Sequence, residues 1–86
     1  MSEEKLTPIS PARVATELRK LSEGRKSGQY DADEYEARFA RMIGELRDRQ
    51  IAGDRAEIMA ELTPLSQDGT LDPVAWRRLT RSLGLA

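Results

Sequence analysis

The chain has 86 residues, of which 14 are basic and 15 acidic, for a formal net charge of −1. It contains no cysteine and no histidine, which removes disulfides, thiolate metal sites, the commonest metal ligand and the commonest general base. A mixed, near-neutral surface is not the basic footprint of a nucleic-acid binder, and the longest uncharged run falls far short of the ~20 residues of a membrane span.

The charged opening Met1-Ser2-Glu3-Glu4-Lys5 is unlike a secretory signal, so the cytoplasm is the default location. Residues 1–9 read as a disordered tail, and residues 10–86 as one helical domain. Ser10-Pro11 is an N-cap followed by proline at the first helical position. Val14, Leu18 and Leu21 then fall on one helical face, giving a first helix over about 11–26 that frays at Gly24. Gly28 stops it, Tyr30 turns an apolar group back into the corner, and Asp31 with Glu34 forms the capping box of a second helix.

That second helix buries Tyr35, Phe39, Met42, Ile43 and Leu46, while Glu34 and Arg38 make an i,i+4 ion pair on its polar side. Gly53 followed by Asp54 and Glu57 signals a break and a new capping box, against the rival reading of one helix running through. A third helix over 55–63 turns Ile58 and Leu62 inward and ends at Thr63-Pro64. The grammar of the first corner recurs 41 residues later as Gly69-Thr70-Leu71-Asp72-Pro73. A fourth helix follows over 73–83 with Trp76, Leu79 and Leu83 on one stripe, and Gly84 and Leu85 close it. The fold expected is all-α: three to four short helices, an antiparallel helical hairpin over 10–52 and C-terminal helices over 54–86.

Leu18, Leu21, Gly28, Tyr30, Asp31, Asp33-Glu34, Tyr35 and Arg38 give the stretch from Leu18 to Ile43 a pattern that resembles the SHOCT family of short helical hairpins. The chain also looks like a related actinobacterial helical domain of unknown function, whose third short helix is matched by Asp54 to Leu62 and then Pro64. The resemblance covers about half the chain. It departs from the pattern in the fourth helix that follows and in the extra Lys26-Ser27 before the glycine. It implies an oligomerisation or interaction module and brings no catalytic residues.

The two glycine corners lack the ligands of a calcium loop: with Gly28 at the sixth position, Arg25 occupies the third. The acids Asp31, Asp33, Glu34 and Glu36 gather where a helix dipole stabilises them, so no metal site and no cofactor is expected from them. Without histidine, cysteine or a nucleophile–base pair, the chain reads as a non-enzyme. A small core without staples favours a partner, so the leading expectation is a protein–protein interaction module, an adaptor, assembly factor or inhibitor, binding another protein or a second copy of itself as a homodimer. The expected contact residues are Trp76, Leu79 and Leu83, rimmed by Arg77, Arg78 and Arg81, against the rival reading of Trp76 as a core side chain. The alternative is a nucleic-acid-binding regulator that uses the basic residues of helix 1 (Arg13, Arg19, Lys20, Arg25, Lys26) together with the helix 4 arginines.

Overall fold

Each helix in the computed structural model, which describes residues 7–85, starts at a side-chain cap. α1 (Pro11–Lys26) follows Ser10, whose Oγ accepts from the Arg13 amide at 3.2 Å. α2 (Ala32–Arg49) follows Asp31, and α4 (Pro73–Ser82) follows Asp72; each carboxylate accepts at 2.8 Å, from the Glu34 and Ala75 amides respectively. α3 (Arg55–Gln67) follows Asp54, where the capping box is complete: Asp54 accepts from the Glu57 amide at 2.8 Å and Glu57 accepts from the Asp54 amide at 2.9 Å. These bonds satisfy amides that the helix ladder leaves unpaired. The box expected at Asp31 is only half formed, because Glu34 turns to Arg38 one turn on, at 2.9 Å, where a guanidinium offers a stronger charge-assisted bond than a neutral amide.

Among the described residues the fold is all-α, four short helices with no strand and one isolated parallel bridge between Ile9 and Ile51. α1 packs against α3 and α2, and α4 packs on α2. Leu18 of α1, Phe39 of α2, Leu62 and Leu65 of α3 and Leu79 of α4 are all at most 1% exposed and form the centre of the core; burying each contributes about 1.5–3 kcal/mol. The molecule measures 40 × 32 × 19 Å. Its thin dimension is about two helix diameters of ~10 Å, so the surface offers grooves rather than deep cavities.

The two similar corners fold alike. Gly28 and Gly69 take φ +87° and +85°. In each corner the apolar residue two positions on reaches back six residues, Tyr30 N–H to the Gly24 carbonyl and Leu71 N–H to the Leu65 carbonyl, both at 3.0 Å. The C-terminus of α4 closes as a Schellman motif, with the Leu85 and Gly84 amides donating to Thr80 and Arg81 and Leu85 buried.

Three expectations are corrected, and a fourth holds with an earlier helix end. The helix α3 does not end at Thr63: it continues to Gln67 with Pro64 inside it. An interior proline costs about 3 kcal/mol, but the extra turn buries Leu65 completely and returns the Leu71 amide to its carbonyl. The fray at Gly24 does not occur. Gly24 is buried inside α1 because the Tyr30 ring lies on it, so close that a Cβ there would stand 2.3 Å from Tyr30 Cε2. Of the tail expected over 1–9, Thr7 and Ile9 are tied to the fold: the Ile9 amide donates to the Gln50 carbonyl at 3.0 Å, the Ala52 amide to the Ile9 carbonyl at 2.8 Å, and Arg49 Nε to the Thr7 carbonyl at 2.9 Å; residues 1–6 lie outside the described residues. The break between α2 and α3 stands, with Gly53 at φ +101°, yet α2 already stops at Arg49 because Gln50 takes φ 69°, ψ 155°.

Candidate functional site

α4 has two faces with different fates. Leu79 (0% exposed) and Thr80 (4%) point into the core, and the Thr80 hydroxyl donates to the Trp76 carbonyl at 3.0 Å. Trp76 and Leu83 pack against the core while keeping part of their surface in solvent. The apolar stripe expected to meet a partner thus also docks α4 onto its own domain. Leu79 in particular has no surface left to offer.

The opposite face carries Val74, Arg77 and Arg81 at i, i+3 and i+7, one row along the helix. Val74 is 73% exposed, the one large apolar side chain so exposed among the described residues. Arg77 and Arg81 are exposed and make no ion pair among the described residues. Arg78 behaves differently. Its guanidinium pairs with Glu36 of α2 and lies 5.2 Å from the centre of the Phe39 ring, so it serves as a clasp between α4 and α2. A shallow groove of about 380 Å³ follows this face, lined by Val74, Arg77, Arg78, Arg81 and Ser82.

Ser82 also borders a second groove of about 340 Å³, between the end of α4 and the α2–α3 corner. Leu46, Ile51, Ile58, Leu83 and Leu85 give it an apolar floor, and Arg47 and Gln50 stand at its edge. Sequence reasoning missed Arg47, Gln50, Ile51 and Ser82. Ser82 continues the i, i+4 spacing from Arg78 and could have been found, whereas nothing about a glutamine announces the backbone of Gln50. Its φ/ψ lies in a region almost confined to glycine, and such conformations collect at functional sites and persist only where the surroundings enforce them. Here the Gln50 amide is tied to the Leu46 carbonyl at 2.7 Å and its carbonyl to Ile9.

Two of the five basic residues of α1 are held in ion pairs within the fold. Arg13 pairs with Glu17 at 3.7 Å, and Arg19 reaches Asp68 at 2.7 Å and the Thr70 hydroxyl at 3.2 Å. The Asp68 carboxylate also accepts from the Thr70 hydroxyl and amide, and these bonds, with Arg19, hold its carboxyl well below the usual carboxylate range. Tyr35 is shifted upward, first by burial and then by the negative charges of Asp72 and Glu36, against the opposing Arg25 and Arg78. Three of the four acids of the α2 start are spent in structure: Asp31 caps, Glu34 holds Arg38, and Glu36 holds Arg78. No group of three acidic side chains converges as a metal site among the described residues, and no helix is long and apolar enough to cross a membrane.

No family model, no curated protein and no solved structure matches this chain.

Proposed function

We propose that the chain is a non-catalytic protein–protein interaction module that works in the cytoplasm, and that its contact surface is the outer face of α4 together with the groove it leads into at Ser82. The observation that carries this reading is Val74, 73% exposed in a row with two unpaired arginines. Arginine is enriched at protein interfaces relative to the rest of the surface, and here two unpaired arginines stand beside an exposed apolar side chain on one groove. Leu83 extends the surface into the apolar groove. Trp76 and Leu79 support α4 from beneath, and Arg78 fixes its position on α2. The SHOCT-like pattern of the first hairpin points to the same class, an adaptor, assembly factor or inhibitor.

The test is affinity capture of the tagged full chain from its own cell extract, wild type beside Val74→Glu, with circular dichroism to establish that the variant folds and sedimentation to follow self-association. A protein retained by wild type and lost by the folded variant supports the reading. A protein retained equally by both moves the contact away from α4. If wild type retains nothing and stays monomeric at high concentration, the module reading fails.

A further inference from the structure

We infer that the α4 face takes an acidic, amphipathic protein segment, one that sets an apolar side chain on Val74 and carboxylates on Arg77 and Arg81. This rests on the module reading and adds the chemistry of the partner. α4 carries three arginines and no acid. One of the three is neutralised within the fold by Glu36, and the other two face solvent unpaired beside the shallow groove. Guanidinium forks bind carboxylates in two parallel bonds, and two forks one helical turn apart match carboxylates at i and i+4 on a facing helix.

Other occupants fit less well. A second copy of the chain docked symmetrically through this face would bring Arg77 and Arg81 against their own copies, with no acid on α4 to separate them, and like charges face to face oppose association. A nucleic-acid backbone would satisfy the arginines but offers nothing apolar to Val74. Two of the α1 basic residues that would have to extend the contact, Arg13 and Arg19, are already paired with Glu17 and Asp68. An acidic peptide escapes both objections, because its carboxylates are spaced by its own sequence and an apolar residue can stand between them.

The experiment uses the full chain and three probes: a synthetic amphipathic helix of glutamate and leucine, the same peptide with glutamine for glutamate, and a short DNA duplex. Fluorescence anisotropy at low and high salt reads the binding. The acidic peptide is expected to bind, weakening as salt rises. Arg77→Glu with Arg81→Glu should weaken it by ~10-fold or more, in the range of charge reversals at an interface, whereas Arg13→Glu on α1 should leave it unchanged. Equal binding of the glutamine peptide, no loss in the double variant, tighter binding of the duplex, or no binding of the acidic peptide at concentrations of about 1 mM each overturns the inference. The capture experiment separates this failure from that of the module reading. A cellular partner lost with Val74→Glu but kept by Arg77→Glu/Arg81→Glu leaves the module standing and refutes the acidic segment.

Discussion

Gly24→Ala and Gly44→Ala add the same methyl group to the interior of two helices, and they are expected to move stability in opposite directions. Alanine is favoured over glycine in a helix by about 0.8–1.0 kcal/mol. At Gly44 a Cβ meets nothing within 4 Å, so the full gain should appear. At Gly24 the Cβ would stand 2.3 Å from Tyr30 Cε2 and 2.5 Å from Cδ2, and reaching ordinary contact requires the ring to withdraw by roughly 1 Å. Overpacking of this kind costs about 1–3 kcal/mol. The Arg38 guanidinium also lies 4.3 Å from the ring centroid, a stack worth about 0.5–1 kcal/mol that moving the ring disturbs. The net expectation is a loss of about 1–2 kcal/mol for Gly24→Ala, a fall in Tm of roughly 4–8 °C per kcal/mol. Urea and thermal denaturation followed by far-ultraviolet circular dichroism measure both variants. A double-mutant cycle isolates the cause: in a Tyr30→Ala background, Gly24→Ala should become stabilising, with a coupling of about 2–3 kcal/mol. If Gly24→Ala stabilises the wild type as much as Gly44→Ala does, the seat of Tyr30 on α1 is wrong.

Gln50→Gly should raise stability by about 1 kcal/mol in urea denaturation, because relief of a backbone strain of about 1–3 kcal/mol exceeds the 0.5–1 kcal/mol or so that glycine loses in chain entropy; destabilisation would refute the strain. Leu79→Ala should cost about 2–5 kcal/mol as a core truncation, while Arg77→Ala and Arg81→Ala stay within about 0.5 kcal/mol of wild type, so a large loss from either arginine would place it in the fold. The Asp68 carboxyl, lowered by Thr70 and Arg19, contributes stability that is present above the unfolded pKa of about 3.9 and is lost as pH falls toward the folded value. A carbon-13 titration should find it still ionised where free aspartate is half protonated, and a normal midpoint would contradict the Thr70 bonds. Tyr35 runs the other way: its raised pKa favours the folded state below the unfolded value of about 10, and that contribution is lost as pH climbs through the folded pKa. In a Tyr30→Phe background that leaves one tyrosine, ultraviolet titration should find ionisation above the free-tyrosine value.

What the sequence made legible was local. Ser10-Pro11, Asp54 with Glu57, and Asp72-Pro73 name the starts of their helices because a cap is made within four residues, and Gly28 and Gly84 name the ends of α1 and α4 because few other residues take their φ. What it hid was decided across the fold. Pro64 sits in a helix because Leu65 and Leu71 close the core around it. Ile9 is anchored because it finds Ile51 and Gln50, some forty residues away. The candidate site shows the same division. The α4 stripe of Trp76, Leu79 and Leu83 was readable as an apolar face, but spacing cannot say whether such a face meets the chain's own core or a partner. The packing of α4 on α2 buries Leu79 in the core, leaves Trp76 and Leu83 partly in solvent, and leaves Val74 outside.

Val74 is the residue on which a folding role and a binding role make opposite predictions. It is the second residue of α4, in a first turn that has no acid, where the helix dipole rewards a carboxylate by about 0.3–1 kcal/mol. At the corresponding place in the first corner, 41 residues earlier, α2 carries Asp33. At 73% exposed, Val74 keeps only about a quarter of its side chain buried, worth roughly 0.4 kcal/mol of the ~1.5 kcal/mol for full burial. Glutamate is also a slightly better helix former than valine. Val74→Glu should therefore leave the domain as stable as wild type or more so, by about 0.5 kcal/mol on these terms, while abolishing the binding of the acidic peptide by setting a carboxylate against carboxylates. Denaturation and anisotropy on one protein preparation read both. A destabilised variant would mean that Val74 serves the fold and that its exposure has been misjudged. A stable variant that still binds the peptide would mean that the contact lies elsewhere. A stable variant that no longer binds shows that α4 forgoes the better helix-starting residue for the sake of what docks there.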